Sequence, residues 1–307
     1  MDINTTPNQD QINAVMQMQE YITEHIQEPI TQFQLAKVAG YSEYYAASIF
    51  KRLTGKPPFE YIRQLRLSHA AMVLRDEQKR VIDVAFDYVF DSHEGFTRAF
   101  AKEFGVTPKK YSKYPKPIKL FMPSNVRDFY LLKQGKEDKN MSDVPSAIFV
   151  QIVDRPARKV ILKRGKTATH YFEYCEEVGC DIWGILCSIK GALYEPVGMW
   201  MPDQLRPEGT SIYTQGVEVP LDWVGEIPEG FEIMELPPCK MLMFQGPPYD
   251  DENFMDAIDR LWEQTANYNP EIYGYEWDDA IAPKIQLSPM GYRGYIEGRP
   301  VRPIRNK

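Results

Sequence analysis

The chain has 307 residues, of which 43% are hydrophobic and 26% charged, and its formal net charge is −7. This length allows two domains, because a single core seldom grows beyond roughly 250–300 residues. A polar N-terminus and the absence of an apolar run of about 18 residues argue against a secretory signal and a membrane span. Four cysteines are too few for a disulfide scaffold. We therefore expect a cytoplasmic protein.

The acidic total is unevenly distributed along the chain. Residues 1–140 hold 20 Lys and Arg against 17 Asp and Glu, a net charge of +3, whereas residues 141–307 carry −10. A mildly basic region joined to an acidic one can still meet phosphate, so DNA binding remains open for the first region.

Helical periodicity begins near the N-terminus. Residues 9–28 place apolar side chains at three- and four-residue spacings, which predicts an amphipathic helix. Thr31 and Gln34 form a T-x-x-Q capping box, which predicts a short helix that ends at Gly40. Ser42 then caps a further helix that ends at Gly55. Helix, tight turn and helix follow in this order.

A longer amphipathic segment over residues 57–77 predicts a connecting helix, after which the same pattern returns. Seven positions match between the copies: Ala36, Tyr41, Ser42, Phe50, Gly55, Pro58 and Tyr61 align with Ala85, Phe90, Ser92, Phe100, Gly105, Pro108 and Tyr111. The offset is 49 before the turn and 50 after it. This predicts an internal duplication of one supersecondary unit.

The second copy carries Val89 where such a turn normally has glycine. Either the longer turn lets Val89 avoid a positive φ, or the residue is strained at a cost of about 1 kcal/mol or more.

A helix-turn-helix needs a small residue where its helices cross and a glycine where φ turns positive, as Ala36 and Gly40 supply. A helical hairpin without a DNA role is the alternative for a single copy. Two copies joined by one helix favour DNA binding, with the second helix of each copy in the major groove.

The segments "LAKVAGYS", "IFKRLTGKPPFEYIRQLRL" and "FDSHEGFTRAFAKEFGVTPKKY" resemble the AraC/XylS family DNA-binding domain over residues 9–114. The resemblance implies transcription control. It assigns base reading to Tyr44, Ala47 and Ser48 in the first unit and to His93, Glu94, Thr97 and Arg98 in the second. Arg98 suits guanine and Glu94 suits cytosine. Phosphate contacts fall to Ser42, Lys51, Arg52, Ser92, Lys109 and Lys110. Ala47 and Ser48 are small for readers, and close approach alone would equally explain them.

We place an AraC-type all-α domain at 1–114, a Pro- and Lys-rich linker at 115–146 and an α+β domain at 147–307. Short β-type runs dominate the last region, and two helical patterns interrupt them, at 171–193 and 251–268. The pattern indicates a strand-helix-strand-strand unit used twice.

The phrases "GVEVP", "FQGPPYDDENF" and "GYIEGRPV" resemble the GyrI-like effector-binding domain, in a Rob-type arrangement with the first domain. This implies a groove for a small organic effector of aromatic or cationic character. Candidate lining residues are Tyr171, Tyr174, Trp183, Trp200, Tyr213, Phe244, Glu276, Trp277 and Gln286. Gln286 stands where the family often has an acidic residue, and Glu276, Glu176 and Glu297 are the substitutes we weigh.

Three functions remain open for the acidic domain: an effector sensor, a GyrI-like hydrolase, and a surface that recruits RNA polymerase or another protein. We favour the sensor and expect no enzyme activity, because fusion to a DNA-binding domain makes the hydrolase interpretation less favoured. The cysteines and His170 fit no zinc spacing, and no nucleotide or hydrolase motif is present, so we expect neither metal nor cofactor.

Overall fold

A computed structural model describes residues 7–123, 148–250 and 253–304. The chain divides into two compact units: Met1–Pro115 with Leu120–Asp138, and Lys116–Lys119 with Lys139–Lys307. Of the linker that we predicted, residues 124–146 lie outside the described residues. In the described part of the chain, no helix is long and apolar enough to cross a membrane.

The described part of the first unit is helical. Its helices are α1 (Gln9–Glu24), α2 (Gln32–Ala39), α3 (Glu43–Thr54), α4 (Pro58–Asp76), α5 (Val81–Asp87), α6 (His93–Phe104) and α7 (Pro108–Lys113). The predicted capping box is present, with the Thr31 and Gln34 side chains each accepting from the other's backbone N–H. Periodicity did not reveal α7, because six residues are too few to show a helical period.

The pairs α2–α3 and α5–α6 have the same turn. Gly40 has φ 68° and Val89 has φ 61°, so both lie in the left-handed region. Two equivalent backbone bonds close the turns: Tyr41 N donates to Ala36 O at 3.1 Å, and Phe90 N donates to Ala85 O at 3.0 Å. Val89 therefore takes the conformation that glycine takes in the first copy.

The extra residue of the second copy does not relieve Val89. Phe90 is still at the offset of 49 from Tyr41, whereas the N-cap Ser92 is at 50 from Ser42. The insertion is thus Asp91, which lies after the turn and is exposed. Of the two alternatives for Val89, the structure has the strained one.

Each copy also repeats one aromatic contact in its core. The rings of Phe50 and Tyr61 are 5.1 Å apart, and those of Phe100 and Tyr111 are 5.7 Å apart. All four side chains are at most 2% exposed. Burial raises the pKa of Tyr61 and of Tyr111 to about 12.

The second unit is built on an antiparallel sheet. Its strands are β1 (Phe149–Arg155), β2 (Arg158–Arg164), β3 (Val197–Trp200), β4 (Tyr213–Pro220), β5 (Glu232–Leu236), β6 (Cys239–Gln245), β7 (Tyr275–Trp277), β8 (Lys284–Gln286) and β9 (Ile296–Pro303). Their order is β1-β6-β9-β8-β3-β4-β2-β5, and β7 also pairs with β9. Its helices are α8 (Tyr171–Val178), α9 (Ile182–Cys187) and α10 (Phe254–Ala266). The predicted strand-helix-strand-strand order occurs twice. The first occurrence runs through β2, α8 and α9, β3 and β4; the second runs through β6, α10, β8 and β9, with the short strand β7 inserted after α10.

The single helix that we predicted over 171–193 is wrong. Gly179 has φ 104° and ends α8, and α9 begins three residues later. A glycine with a positive φ ends a right-handed helix, because every residue within such a helix has a negative φ.

The sheet buries apolar side chains on both faces. Alternate residues of β2 divide between them, with Val160 and Leu162 in one cluster and Ile161 in another. The Ile161 face packs against α9, and on the same face β6 and β9 pack against α10 through Leu242, Phe244 and Val301. Strands β3 and β8 adjoin each other between the strands that these helices cover.

Candidate functional site

Serine caps begin both candidate reading helices. The hydroxyl of Ser42 accepts the N–H of Tyr45 at 3.4 Å, and that of Ser92 accepts the N–H of Gly95 at 3.0 Å. These two hydroxyls, which we predicted to meet phosphate, therefore cap α3 and α6.

The exposed face of α3 carries few large groups. Tyr44 is 87% exposed and Ser48 is exposed, whereas Ala47 is half-buried. Lys51 is exposed, but Arg52 donates to the Gln11 side chain of α1 at 2.7 Å. Arg52 is thus held against α1, and Lys51 extends into solvent.

The equivalent face of α6 carries both charges that suit base edges. Glu94 and Arg98 are exposed, and His93 is half-buried. The Thr97 hydroxyl oxygen is buried, so it is not presented to a groove. Lys109 is exposed near the start of α7, as is the neighbouring Lys110, and either can approach phosphate.

The nine candidate effector residues do not form one surface. Tyr174, Tyr213 and Phe244 are at most 1% exposed, and Phe244 packs under α10. The Tyr174 hydroxyl donates to Lys163 O at 2.6 Å, and its ring lies 5.7 Å from that of Tyr213. Trp183 is half-buried on α9. At the start of α8, Tyr171 is 36% exposed.

Glu276 and Trp277 lie apart from Gln286. In β7, Glu276 pairs with Arg302 of β9, whereas Gln286 in β8 pairs with Glu297 of the same strand. Five residues along a strand span about 16 Å. Glu276 is ion-paired with Arg302 at 2.7 Å, and the Arg299 guanidinium covers the Trp277 ring at 4.0 Å.

A row of four residues crosses the middle of the sheet on its helix-bearing face. Neighbouring strands β4, β3, β8 and β9 contribute Gln215, Gly198, Gln286 and Glu297 to it. Gln215 and Glu297 are each 1% exposed, and Gln286 is half-buried. A Cβ at Gly198 would overlap the Tyr213 hydroxyl, so glycine lets that hydroxyl lie over β3.

Glu297 is the centre of a polar cluster beside this row. Its Oε1 accepts from Trp262 Nε1 at 2.5 Å and from the Tyr295 hydroxyl at 2.9 Å. Its Oε2 lies 2.6 Å from the ammonium of Lys284, which stands 4.8 Å above the Trp200 ring. Burial, followed by the nearby carboxylate, raises the pKa of Tyr295. We define the central groove as this row together with four further residues: Trp200, Lys284, Trp262 and Tyr295.

Sequence reasoning missed five members of the central groove: Gly198, Gln215, Lys284, Trp262 and Tyr295. Lys284 had a signal, since it precedes Gln286 by two residues and strand alternation places both on one face. Trp262 had none, because its contact with Glu297 spans 35 residues.

A separate surface cavity of about 530 Å³ lies where α10 meets two loops of the second unit. Its lining includes Pro247, Asp250, Arg260 and Tyr292, and none of the candidate effector residues. In the described ranges, no group of three or more His, Cys, Asp or Glu side chains could hold a metal ion.

A family model described as a helix-turn-helix domain matches residues 35–114. The regulatory protein SoxS of Salmonella typhimurium strain LT2 is 40% identical over 92 residues, which are 30% of this chain and 86% of that protein. The right origin-binding protein of Escherichia coli strain K12 is 37% identical over 106 residues, 34% of this chain. A solved structure of a probable AraC family transcriptional regulator from Rhodopseudomonas palustris CGA009 is 30% identical, covers 33% of this chain and 95% of its own, and has a TM-score of 0.32.

A duplicated, serine-capped helix-turn-helix with exposed second helices is the architecture of a DNA-binding regulator. With SoxS matched over most of its length, the chain belongs to the AraC family of DNA-binding transcriptional regulators. Two relatives from Salmonella typhimurium strain LT2 are named as regulators rather than enzymes: the regulatory protein SoxS and the transcriptional regulator Rob. The match spans only 37% of the right origin-binding protein, a little over a third of that protein's length.

Proposed function

We propose that the first unit binds promoter DNA through α3 and α6 and that the second unit binds a small organic effector in the central groove, which changes promoter activity. The observation that carries the DNA proposal is the duplication. Both helix-turn-helix copies of the first unit begin their reading helix at a serine cap and expose the same face of that helix. Two helices joined by α4 suit two successive major-groove segments.

The chemistry of the two faces assigns them different work. Arg98 can donate two hydrogen bonds to one guanine and Glu94 can accept from a cytosine. Tyr44 and Ser48 offer apolar contact and a single hydroxyl, so α3 contributes more to positioning than to base choice. Lys51, Lys109 and Lys110 supply phosphate contacts.

Salt dependence tests the DNA proposal. The full chain is titrated into a fluorescent promoter fragment from its own operon at several salt concentrations, and binding is followed by anisotropy. Lys109→Ala and Lys110→Ala should each lower the slope of log K against log salt by about 1. Lys190→Ala removes an exposed lysine of the second unit and serves as the control, with no change of slope expected. A fragment that never binds in a salt-dependent manner would contradict the proposal.

Support for effector binding comes from the buried carboxylate of Glu297 and the ring of Trp200 on the sheet face between the helices, with Trp262 of α10 beside them. Sites for small organic molecules combine apolar walls with a few convergent polar groups. This layout also agrees with the GyrI-like resemblance. Coupling requires the effector to bind one state of the protein more tightly than another. RNA polymerase is the natural further partner of a promoter-bound regulator.

The hydrolase alternative is weaker on the geometry. Glu297 is the buried carboxylate of the central groove; Trp262 and Tyr295 donate to its Oε1, and the Lys284 ammonium forms an ion pair with its Oε2. A general base must instead have a lone pair directed at the proton that it takes. Recovery of an unchanged ligand after incubation with the full chain would separate a sensor from a hydrolase.

A further inference from the structure

The central groove contains a positive charge of its own. Lys284 projects from β8, and its side chain remains 32% exposed although its ammonium contacts Glu297, which is 1% exposed. The same ammonium lies 4.8 Å above the Trp200 ring. Lys284 therefore lies over an aromatic face and against a buried carboxylate.

An organic cation would seek that same position. Cations bind over tryptophan faces, and a buried carboxylate adds Coulomb attraction in a region of low dielectric. Lys284 is tethered there by its own backbone, so it competes at a high effective concentration. A free cation gains little, since it must displace Lys284 and leave a second cation beside it.

An anion meets the opposite situation. A lysine ammonium has three N–H donors, and Glu297 needs only one of them. A ligand carboxylate can accept another while the Lys284–Glu297 pair remains intact. A planar ring on the ligand can then cover Trp200 or Trp262, and Trp262 is 40% exposed.

A second observation indicates that the groove is built for a ligand. Gln215 lies in the same cross-strand row and is 1% exposed; its side chain hydrogen-bonds with Tyr213, whereas its Oε1 has no hydrogen-bond partner among the described residues. Buried acceptors without partners are uncommon because their desolvation is left uncompensated. A hydroxyl or N–H of a bound molecule would satisfy this one.

We propose that Lys284 makes the central groove selective for planar aromatic carboxylates and excludes organic cations. This inference rests on the proposed effector-binding function and names its ligand class. It places the specificity in one residue, Lys284, rather than in the carboxylate that the groove contains.

Two probes of equal ring size test the proposal by calorimetry with the full-length protein: 1-naphthoate and 1-naphthylmethylammonium. The wild type should bind naphthoate about tenfold or more tightly than the ammonium probe, as a charge-assisted hydrogen bond provides. Lys284→Met keeps a stem of similar length without the charge, and should reverse the preference by exposing Glu297 and Trp200 to the cation. Lys240→Met removes a lysine paired with Asp154 elsewhere in the same unit, and should bind as the wild type does.

A double variant guards against misfolding, because Lys284→Met leaves Glu297 buried without its ion pair. Lys284→Met with Glu297→Gln removes both charges together and should bind both probes equally within about threefold, as no charge remains to discriminate. Wild-type protein that binds the ammonium probe as tightly as naphthoate would overturn the role of Lys284 and leave the groove an effector site. Absence of binding of both probes to the wild type and to both variants would overturn the groove as an effector site as well.

Discussion

The first helix-turn-helix unit turns at Gly40 and the second at Val89, with φ values of 68° and 61°. Their caps, backbone bonds and aromatic contacts correspond position by position. A β-branched residue in the left-handed region costs about 1–2 kcal/mol, so the surrounding packing must hold Val89 in place. The helix-turn-helix copy as a whole therefore imposes the geometry of the turn, and glycine only lowers the conformational free energy of the positive φ.

The reading faces differ more than the scaffolds do. At the offset of 50, Tyr44 corresponds to Glu94 and Ser48 to Arg98. Both α3 and α6 expose these positions, so the copies share their shape and differ in the chemistry that they present. Scaffold variants should then affect both copies alike, and reader variants should not.

The largest expected effect is on stability, from the aromatic core contact that both copies repeat. Phe50→Ala and Phe100→Ala each remove a fully buried ring and should lower the free energy of unfolding of the first unit by about 3–5 kcal/mol. Urea unfolding followed by far-UV circular dichroism measures it. All five tryptophans lie in the second unit, so tryptophan fluorescence is the internal control and should not shift. Unequal losses would show that one copy dominates the core.

Alkaline pH should affect both copies through their matched tyrosines. The pKa of Tyr61 and of Tyr111 is about 12 in the folded chain and ordinarily 10, so the folded state favours the protonated form. The stabilisation that each raised pKa contributes, about 2–3 kcal/mol for each tyrosine, is fully present below pH 10 and is lost as pH rises towards 12. Tyr61→Phe and Tyr111→Phe should each flatten the decline of unfolding free energy over this range. An unchanged slope in either variant would show that its tyrosine is not the titrating group.

The reader comparison should give an asymmetric result. Arg98→Ala should weaken binding to a promoter fragment by about 1–3 kcal/mol if it contacts guanine, because a bidentate pair is lost. The matched Ser48→Ala should stay within about 0.5 kcal/mol, as surface substitutions usually do. Anisotropy titrations at one salt concentration measure both. Equal losses would place base reading in both helices.

The smallest expected effects concern the turns. Gly40→Val should destabilise the first unit by about 1–2 kcal/mol through its backbone alone, because no atom of the described residues lies within 4 Å of the added Cβ. Val89→Gly relieves strain but adds about 0.4–1 kcal/mol of unfolded-chain entropy, so it should stabilise by less than about 1 kcal/mol. Circular dichroism in urea measures both. A strongly destabilised Val89→Gly would show that the valine side chain holds the turn.

The sequence by itself determined the organisation of the first unit. Thr31, Ser42, Gly55, Ser92 and Gly105 act on backbone groups within a few residues of themselves, so their effect is readable from local spacing. The duplication and the family followed from the same local signals. The change of offset between Phe90 and Ser92 also located the inserted residue, Asp91.

The tertiary structure alone decided the φ of Val89, the break at Gly179 and the contents of the central groove. Aromatic residues look alike in sequence, whereas packing separates the buried Tyr174 and Phe244 from the half-buried Trp200. Lys284, Glu297 and Trp262 meet only because β8, β9 and α10 come together across the sheet. Such contacts depend on strand register and helix placement, which local spacing does not specify.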